Sequence, residues 1–290
     1  MAFLLPAKRS AAAPVWEALM RITYAAVNAT GASRMAETLF GRETALITGA
    51  GHGIGRAMAL ALAREGARLL LAEIDPARGE SALAAVRDAG GAAEFLRIDL
   101  AERGAAERLV AEAIGRLGRV DMLVHSASPP RHEEDTLMRL SDATWHAMHE
   151  VNLRSGFVLG RDLARHMIDG GIRGRMLYLT SLHAGTPRNL PHYSTAKAGM
   201  LMLVKELARA LGAHGIRVNA LTPGAVAAGG FKPGAGLAQK IPLGRLAEAD
   251  DIAAMGVAVL SERYGRYVTG ADIVVDGGMA LYNWFDAAAP

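Results

Sequence analysis

From residue 43 onward, short apolar runs alternate with longer amphipathic ones. Thr44–Thr48 and Arg68–Ala72 are nearly unbroken in Ala, Leu and Ile, and Ala93–Ile98, Val120–His125, Arg175–Thr180, Arg217–Leu221 and Asp272–Val275 are of the same short kind. Such runs predict strands buried on both faces. Between them, Arg56–Glu65, Ala77–Ala89, Ala105–Leu117, Tyr193–Leu211 and Glu248–Ser261 carry helical spacing, and Ser141, a good N-cap, opens a long helical stretch toward Arg165. Strand–helix alternation of this type predicts an α/β fold, a doubly wound parallel sheet with helices on both faces, over residues 41–290. Residues 1–40 stand apart as an N-terminal extension. Pro14 can open one helix there, in which Val15, Leu19, Ile22 and Ala26 recur at helical spacing, and Asn28 to Ser33 breaks the pattern.

Composition narrows the class of protein. Of 290 residues 51% are hydrophobic, which allows a large core, and 32 basic against 29 acidic residues leave a net charge of only +3. No basic stripe suggests a nucleic-acid footprint, so no nucleic-acid partner is expected. The absence of cysteine excludes disulfides, thiolate metal sites and cysteine nucleophiles, and it fits a reducing compartment. No metal is expected, because no His, Asp and Glu residues have convincing ligand spacing. No apolar run reaches the ~18–20 residues of a spanning helix, so no membrane partner is expected. Met1–Pro6 is too short for a signal core, and Lys8 and Arg9 follow it instead of preceding it. Residues 1–16 are acid-free and rich in Ala, which keeps a transit peptide as the alternative to a cytoplasmic location.

The first strand runs into Thr48-Gly-Ala-Gly-His-Gly-Ile-Gly55. Glycines let the backbone turn tightly and approach a diphosphate, which then lies at a helix N-terminus beside unpaired N–H groups. The spacing of Gly49, Gly53 and Gly55 differs from Gly-x-Gly-x-x-Gly, and the Lys of a P-loop is lacking. Placed between strand and helix, the turn with Gly51, His52 and Ile54 predicts dinucleotide binding by a single Rossmann-fold domain. Glu73 follows about twenty residues later, where a carboxylate accepts from the adenosine ribose hydroxyls and repels a 2′-phosphate. It favours NAD. His52 could reach a 2′-phosphate, which keeps NADP as the alternative. Asp99, with Leu100, either meets the adenine edge or caps a helix.

Tyr193 and Lys197 stand four apart, on one face of a helix, twelve residues after Ser181. A fixed positive charge beside a phenol favours the phenolate, so Lys197, and the charge of NAD⁺, are expected to lower the pKa of Tyr193. Ser181 ends a strand, where open parallel sheets place their ligands.

Taken in order, the glycine turn, Asp99-Leu100, Val151-Asn152-Leu153, Ser181, Tyr193 with Lys197 and Ile216–Asn219 resemble the short-chain dehydrogenase/reductase family over residues 42–279. Pro223-Gly224, Ile241–Arg245, Thr269-Gly270 and Asp276–Gly278 extend the resemblance. It implies that Tyr193 is the general acid–base, that Lys197 holds the nicotinamide ribose, and that Ser181 bonds the substrate oxygen. Asn152 would hold a water that links Lys197 to solvent. Ser126, Ala127, Pro223, Gly224 and Val226 would join the cofactor site. Two positions depart from the family pattern. His125-Ser-Ala-Ser128 replaces Asn-Asn-Ala-Gly, so His125 is either a buried hydrogen-bonded substitute or a change in cofactor fit. Ala228 stands where a threonine usually holds the nicotinamide amide. A His-Ser pair also occurs in the related enoyl reductases, but those have six residues between Tyr and Lys, against three here.

The stretch between Ser181 and Tyr193 is polar, with His183, Thr186, Arg188, Asn189 and His192. The expected substrate contacts are Ser181, His183, Arg188 and Tyr193. The predicted activity is NAD(P)-dependent oxidation of a secondary alcohol or reduction of a ketone. The substrate would be a sugar, a polyol or an anion bound by Arg188. A 3-oxoacyl thioester reductase and a non-catalytic dinucleotide sensor are the alternatives. Residues 229–240 correspond to a glycine-rich substrate lid. A homotetramer or homodimer is expected, because Tyr282, Trp284 and Phe285 are too apolar for water and the helices Asn152–Arg165 and Tyr193–Leu211 are apolar on more than one face.

Overall fold

The computed structural model describes residues 38–228, 234 and 236–281. The helix expected near Val15–Ala26, the aromatic run Tyr282–Phe285 and lid residues 229–233 and 235 lie outside the described residues.

Seven strands form one parallel sheet in the order β3-β2-β1-β4-β5-β6-β7. They are β1 (Thr44–Thr48), β2 (Arg68–Glu73), β3 (Ala92–Arg97), β4 (Met122–His125), β5 (Arg175–Leu179), β6 (Arg217–Pro223) and β7 (Asp272–Val275). All residues of β1, β4, β5 and β6 are buried, while β3 and β7, at the edges, are partly open. This explains the unalternating apolar runs. Neighbouring residues in a strand point to opposite faces, and both faces here are covered.

The helices are α1 (Gly53–Arg64), α2 (Pro76–Asp88), α3 (Ala105–Leu117), α4 (Asp142–His149), α5 (Ser155–Asp169), α6 (Pro191–Leu211) and α7 (Ala249–Leu260). On one side Leu46, Leu70 and Leu123 meet Leu109 of α3, Leu163 of α5 and Val204 of α6. On the other, Ile47, Leu71 and Val124 meet Leu62 of α1, Val86 of α2 and Ile252 of α7. The doubly wound Rossmann-type sheet read from the sequence is therefore the fold.

Local signals set the helix ends. Asp75 accepts from the amides of Ala77 (2.9 Å) and Arg78 (3.2 Å), with Pro76 at the first helical position. Ser141 accepts from Thr144 N (3.1 Å), as an N-cap should. The long helix expected from Ser141 to Arg165 is not regular, however. After α4 the chain makes a π-helical turn, Glu150–Arg154, before α5 begins. Such turns insert one extra residue and re-aim side chains, often at functional sites.

The glycine turn between β1 and α1 closes on itself. A β-carbon on Gly55 would fall 2.0 Å from the carbonyl oxygen of Gly49, with backbone on both sides of the clash. Gly49 has φ +65°, in the left-handed region, and a β-carbon there would fall 2.8 Å from Cα of Ala127. Gly55→Ala is expected to lower stability by about 1–3 kcal/mol, the usual range for overpacking, read as a lower urea midpoint. Gly115→Ala in α3 meets nothing within 4 Å and is expected to raise the midpoint, by up to ~1 kcal/mol in stability.

Candidate active site

The strand order reverses between β1 and β4, because the chain leaves β1 toward β2 and leaves β4 toward β5. A crevice opens at the carboxyl ends of strands at such a point. Thr48 and His125 are register partners across it. Nδ1 of His125 lies 2.9 Å from Oγ1 of Thr48, and Nε2 lies 3.0 Å from the carbonyl oxygen of Asn152. A carbonyl can only accept, so Nε2 carries the proton and Nδ1 accepts from the Thr48 hydroxyl. Oγ1 of Thr48 in turn accepts from the amides of Ser126 and Ala127, both at 3.2 Å. His125 is fully buried, and burial holds its imidazole neutral, down from 6.5 to about 4. It is the hydrogen-bonded substitute of the two readings given to it.

Asn152 sits in the middle of the π-helical turn and is fully buried. Its Nδ2 donates to the carbonyl of Met148 (3.0 Å) and to Oγ of Ser128 (3.2 Å). A regular α-helix would give that Met148 carbonyl to the backbone N–H of residue 152. Oδ1 of Asn152 is a buried acceptor with no protein partner.

A cleft of about 370 Å³ brings together Ser181, His183, Arg188 and Tyr193 with Ile54, Pro223, Gly224, Val226 and Ala228. The His183 ring stands edge-on to Tyr193, 5.2 Å between centres. The Lys197 Nζ lies 5.6 Å from the Tyr193 ring centre and donates to the carbonyl oxygen of Leu179 at 2.7 Å. His192 is fully buried, is not part of the lining, and sits 4.0 Å from Asp135.

The electrostatics of the phenol differ from the expectation. Burial raises the pKa of Tyr193, and the groups that oppose this are the Ser181 hydroxyl and then the Arg131 guanidinium, not Lys197. Burial also pulls the Lys197 ammonium down to about 7. A cation that is itself desolvated and bonded to a backbone carbonyl has less to offer its neighbour. Arg131 is the residue that sequence reading missed. It lines the same cleft, with Cζ 5.2 Å from the Tyr193 ring centre. It lies in the connection after β4, which opens over the same end of the sheet as the segment between Ser181 and Tyr193.

At the nucleotide end, Glu73 is buried and its carboxylate accepts from Gly51 N (2.9 Å), Ile74 N (3.0 Å) and Asp75 N (3.2 Å). A β-carbon on Gly51 would fall 2.8 Å from Glu73 and from Cβ of Arg78, a second residue that sequence reading passed over. His52 is the N-cap of α1, exposed and without a side-chain cap bond, and the first turn of that helix holds no acid. Asp99 lies beyond the end of β3, and its Oδ1 accepts from Ala101 N at 2.8 Å within a turn; it caps no helix, since the N-cap of α3 is Gly104. Leu100 is buried beside it. A glycine turn with no room for side chains, an uncapped helix N-terminus and a carboxylate at the end of β2 fit a dinucleotide.

Comparison with known proteins agrees with this geometry. Residues 49–280 match the family described as enoyl-(acyl carrier protein) reductase. The chain is 33% identical over 250 residues to an L-rhamnose 1-dehydrogenase (NAD(P)(+)) of Azotobacter vinelandii, covering 82% of this chain and 96% of that protein. It is 34% identical to a 3-oxoacyl-[acyl-carrier-protein] reductase of Escherichia coli, covering 83% and 99%. A short-chain type dehydrogenase/reductase from Mycobacterium marinum superposes with a TM-score of 0.78 at 28% identity, covering 84% and 97%.

His125 makes the fold sensitive to acid in a defined window. Its pKa is depressed from 6.5 to about 4, so the stability it contributes is complete above pH ~6.5 and is lost as pH falls toward 4. Each proton taken up only on unfolding adds a slope of about 1.4 kcal/mol per pH unit. His183 is depressed to about 4 in the same way, by burial first. His125→Asn is expected to flatten the fall in urea-unfolding free energy between pH 6.5 and 4.5 by close to one proton's worth. An unchanged slope would show that the ring is not held neutral.

Proposed function

As the chain belongs to the short-chain dehydrogenase/reductase family and is an NAD(P)-dependent oxidoreductase, we propose that Tyr193 is its general acid–base and that its substrate is a polar secondary alcohol or the matching ketone. The observation that carries this reading is the meeting of Ser181, Tyr193 and Lys197 at the carboxyl ends of the parallel strands. When bound, the cofactor supplies or accepts the hydride. The glycine turn 49–55 and the N-terminus of α1 would hold its diphosphate, with Glu73 at the adenosine ribose and Asp99 and Leu100 at the adenine side. Ser126, Ala127, Pro223, Gly224 and Val226 would border the rest.

Ser181 donates its hydroxyl proton to the substrate oxygen and fixes the reacting carbon. Tyr193 passes a proton to that oxygen in reduction and takes one from it in oxidation. Lys197, anchored on the carbonyl of Leu179, has two remaining donors for the nicotinamide ribose and the phenol. Asn152 would hold a water for proton exchange with Lys197. Its buried Oδ1, without a protein partner, supports that role. Glu73 supports a preference for NAD, because its buried carboxylate would repel a 2′-phosphate.

A sugar or polyol substrate is favoured by the polar side chains Ser181, His183, Thr186 and Arg188 on one side of the cleft and by the rhamnose dehydrogenase likeness. Reduction of a 3-oxoacyl thioester is the second reading, on the 34% identity with the acyl-carrier enzyme. No described helix is long and apolar enough to cross a membrane. The reading includes a cytoplasmic location and a homotetramer or homodimer. Exposed Phe157 on α5 and Met202 on α6 support assembly.

Tyr193→Phe is expected to cut turnover by ~10²–10⁴-fold while NADH binding, followed by nicotinamide fluorescence, persists. Near-normal turnover would remove Tyr193 from the mechanism. Glu73→Ala is expected to narrow the NAD/NADP ratio of kcat/KM by about tenfold, the worth of one hydrogen bond to a charged group. A wild-type preference for NADP would overturn the role given to Glu73.

A further inference from the structure

Two neighbouring residues at the start of α6 meet the two ends of one short turn. Tyr193 is bonded by Arg131, whose Cζ lies 5.2 Å from its ring centre. His192, one residue earlier, has its Nε2 4.0 Å from Oδ2 of Asp135. Arg131 and Asp135 belong to the same connection between β4 and α4. The amide of Asp135 donates to the carbonyl of His132 at 3.2 Å, which closes the chain between them into a turn. Pro129 and Pro130 come just before Arg131 and restrict the backbone on that side. Beyond Asp135, Leu137 and Met138 are exposed, so apolar burial does not hold the segment there. The amide of Leu137 meets Oδ1 of Asn189 only at 3.5 Å, on the surface.

His192 is fully buried, and neither of its ring nitrogens has a hydrogen-bond partner among the described residues. Oδ2 of Asp135 is buried and unpartnered in the same way. Burying polar atoms unpaired costs free energy, and here a ring nitrogen and a carboxylate oxygen stand across a gap from each other. Burial lowers the pKa of His192; Asp135 opposes this, and His149 and Arg131 add to it. The ring is therefore neutral at pH 7 and carries one N–H, for which the Asp135 carboxylate is the acceptor at hand. At 4.0 Å the contact is a charge–dipole attraction, longer than a hydrogen bond. His192 does not line the cleft, so it reaches the chemistry only through its neighbours.

We propose that Asp135 and His192 are positioning residues: together they hold the turn 131–135 against α6 and so keep the Arg131 guanidinium on the Tyr193 phenol. The proposal rests on the acid–base reading of Tyr193 above and adds the contact that tunes it. Around the phenol stand the Ser181 hydroxyl, Arg131, the neutral His183 ring and Lys197, and Arg188 lines the same cleft. A guanidinium only donates, so its bond to the phenol oxygen favours the phenolate, the form that takes the proton in alcohol oxidation. Release of the turn withdraws that donor and leaves burial to keep the phenol protonated. The charge of Asp135 thus has two effects of opposite sign. Acting directly, a carboxylate disfavours the phenolate, so its loss lowers the pKa of Tyr193. Acting through the turn, its loss raises that pKa.

The test reads the Tyr193 proton directly, by NMR of NAD⁺-saturated enzyme carrying carbon-13 at tyrosine Cζ, with Tyr193→Phe to identify the signal. In a pH titration, Arg131→Gln should move the midpoint of that signal to higher pH. At a fixed pH below the midpoint the ionised fraction should fall about tenfold, the worth of one hydrogen bond to a charged group. Asp135→Asn, isosteric and in a partly open segment, should move the midpoint the same way and by no more. His192→Phe, which keeps the bulk of the ring and loses its N–H, should do likewise. Asp135→Glu keeps the carboxylate and reaches one methylene further, and should hold the wild-type midpoint. In the Arg131→Gln background Asp135→Asn should add no rise, because the two act as one unit. A midpoint that falls or stays in Asp135→Asn would overturn the proposal, since the carboxylate would then act on the phenol directly or not at all. An equal rise in the Arg131→Gln background would also overturn it. None of these readings needs turnover. Near-normal turnover in Tyr193→Phe, together with a raised midpoint in Asp135→Asn, would support the hold on Arg131 and sink the acid–base reading.

Discussion

Where the strand order reverses, one buried line of hydrogen bonds holds the two halves of the site together. It runs from the amides of Ser126 and Ala127 to Thr48, from Thr48 to His125, and from His125 to the carbonyl of Asn152. Its direction is fixed at both ends, because amides only donate and the carbonyl only accepts. A neutral imidazole is therefore a structural requirement. A protonated ring would present a second donor to Thr48, whose hydroxyl can no longer donate to it, in a place buried from bulk solvent. The glycine turn, the connection after β4 and the helix that bears Asn152 are all tied through this one ring.

The charges of the cleft are arranged on the same principle of limited solvation. Lys197 is buried and its proton is loosely held, with a backbone carbonyl as its anchor. His183 is neutral because it is buried and because two arginines lie near it. The other cations of the cleft, Arg131 and Arg188, both have access to solvent. Guanidinium groups resist deprotonation where an ammonium does not. That division leaves the phenol between a titratable cation on the protein side and a permanent one on the cleft side.

Most of the fold was legible because burial on both faces leaves a strong mark. Leu-Leu-Leu in β2 and Met-Leu-Val in β4 have no polar alternation to confuse with anything else, and Asp75 and Ser141 name their own helix starts. The pairing of Ser181 with Tyr193 and Lys197 was legible as spacing along one strand end and one helix. The π-helical turn was not. Met148 and Asn152 stand four apart, as in any α-helix, and nothing in their identity says that a side-chain amide takes the Met148 carbonyl. Arg131 left no mark either, since it lies in an irregular segment, without periodicity, and meets Tyr193 only through the sheet. The environment of Tyr193 was read with the wrong cation for the same reason. Four residues along a helix bring Lys197 close, but its bond to Leu179 is a tertiary fact.

The π-helical turn also changes what the chain can tolerate in length. A residue removed from a regular helix rotates everything after it by about 100°, which in α5 would carry Leu159, Leu163 and Met167 out of the core. Within Glu150–Arg154 the turn already holds one residue more than an α-helix would. A single deletion there can be absorbed by reverting to α-helical winding, with the apolar faces of α4 and α5 still in phase. The helical segment thus has one point at which a shorter relative can align without a shift in packing. What such a relative gives up is the wide winding that frees Met148's carbonyl for the side chain of Asn152.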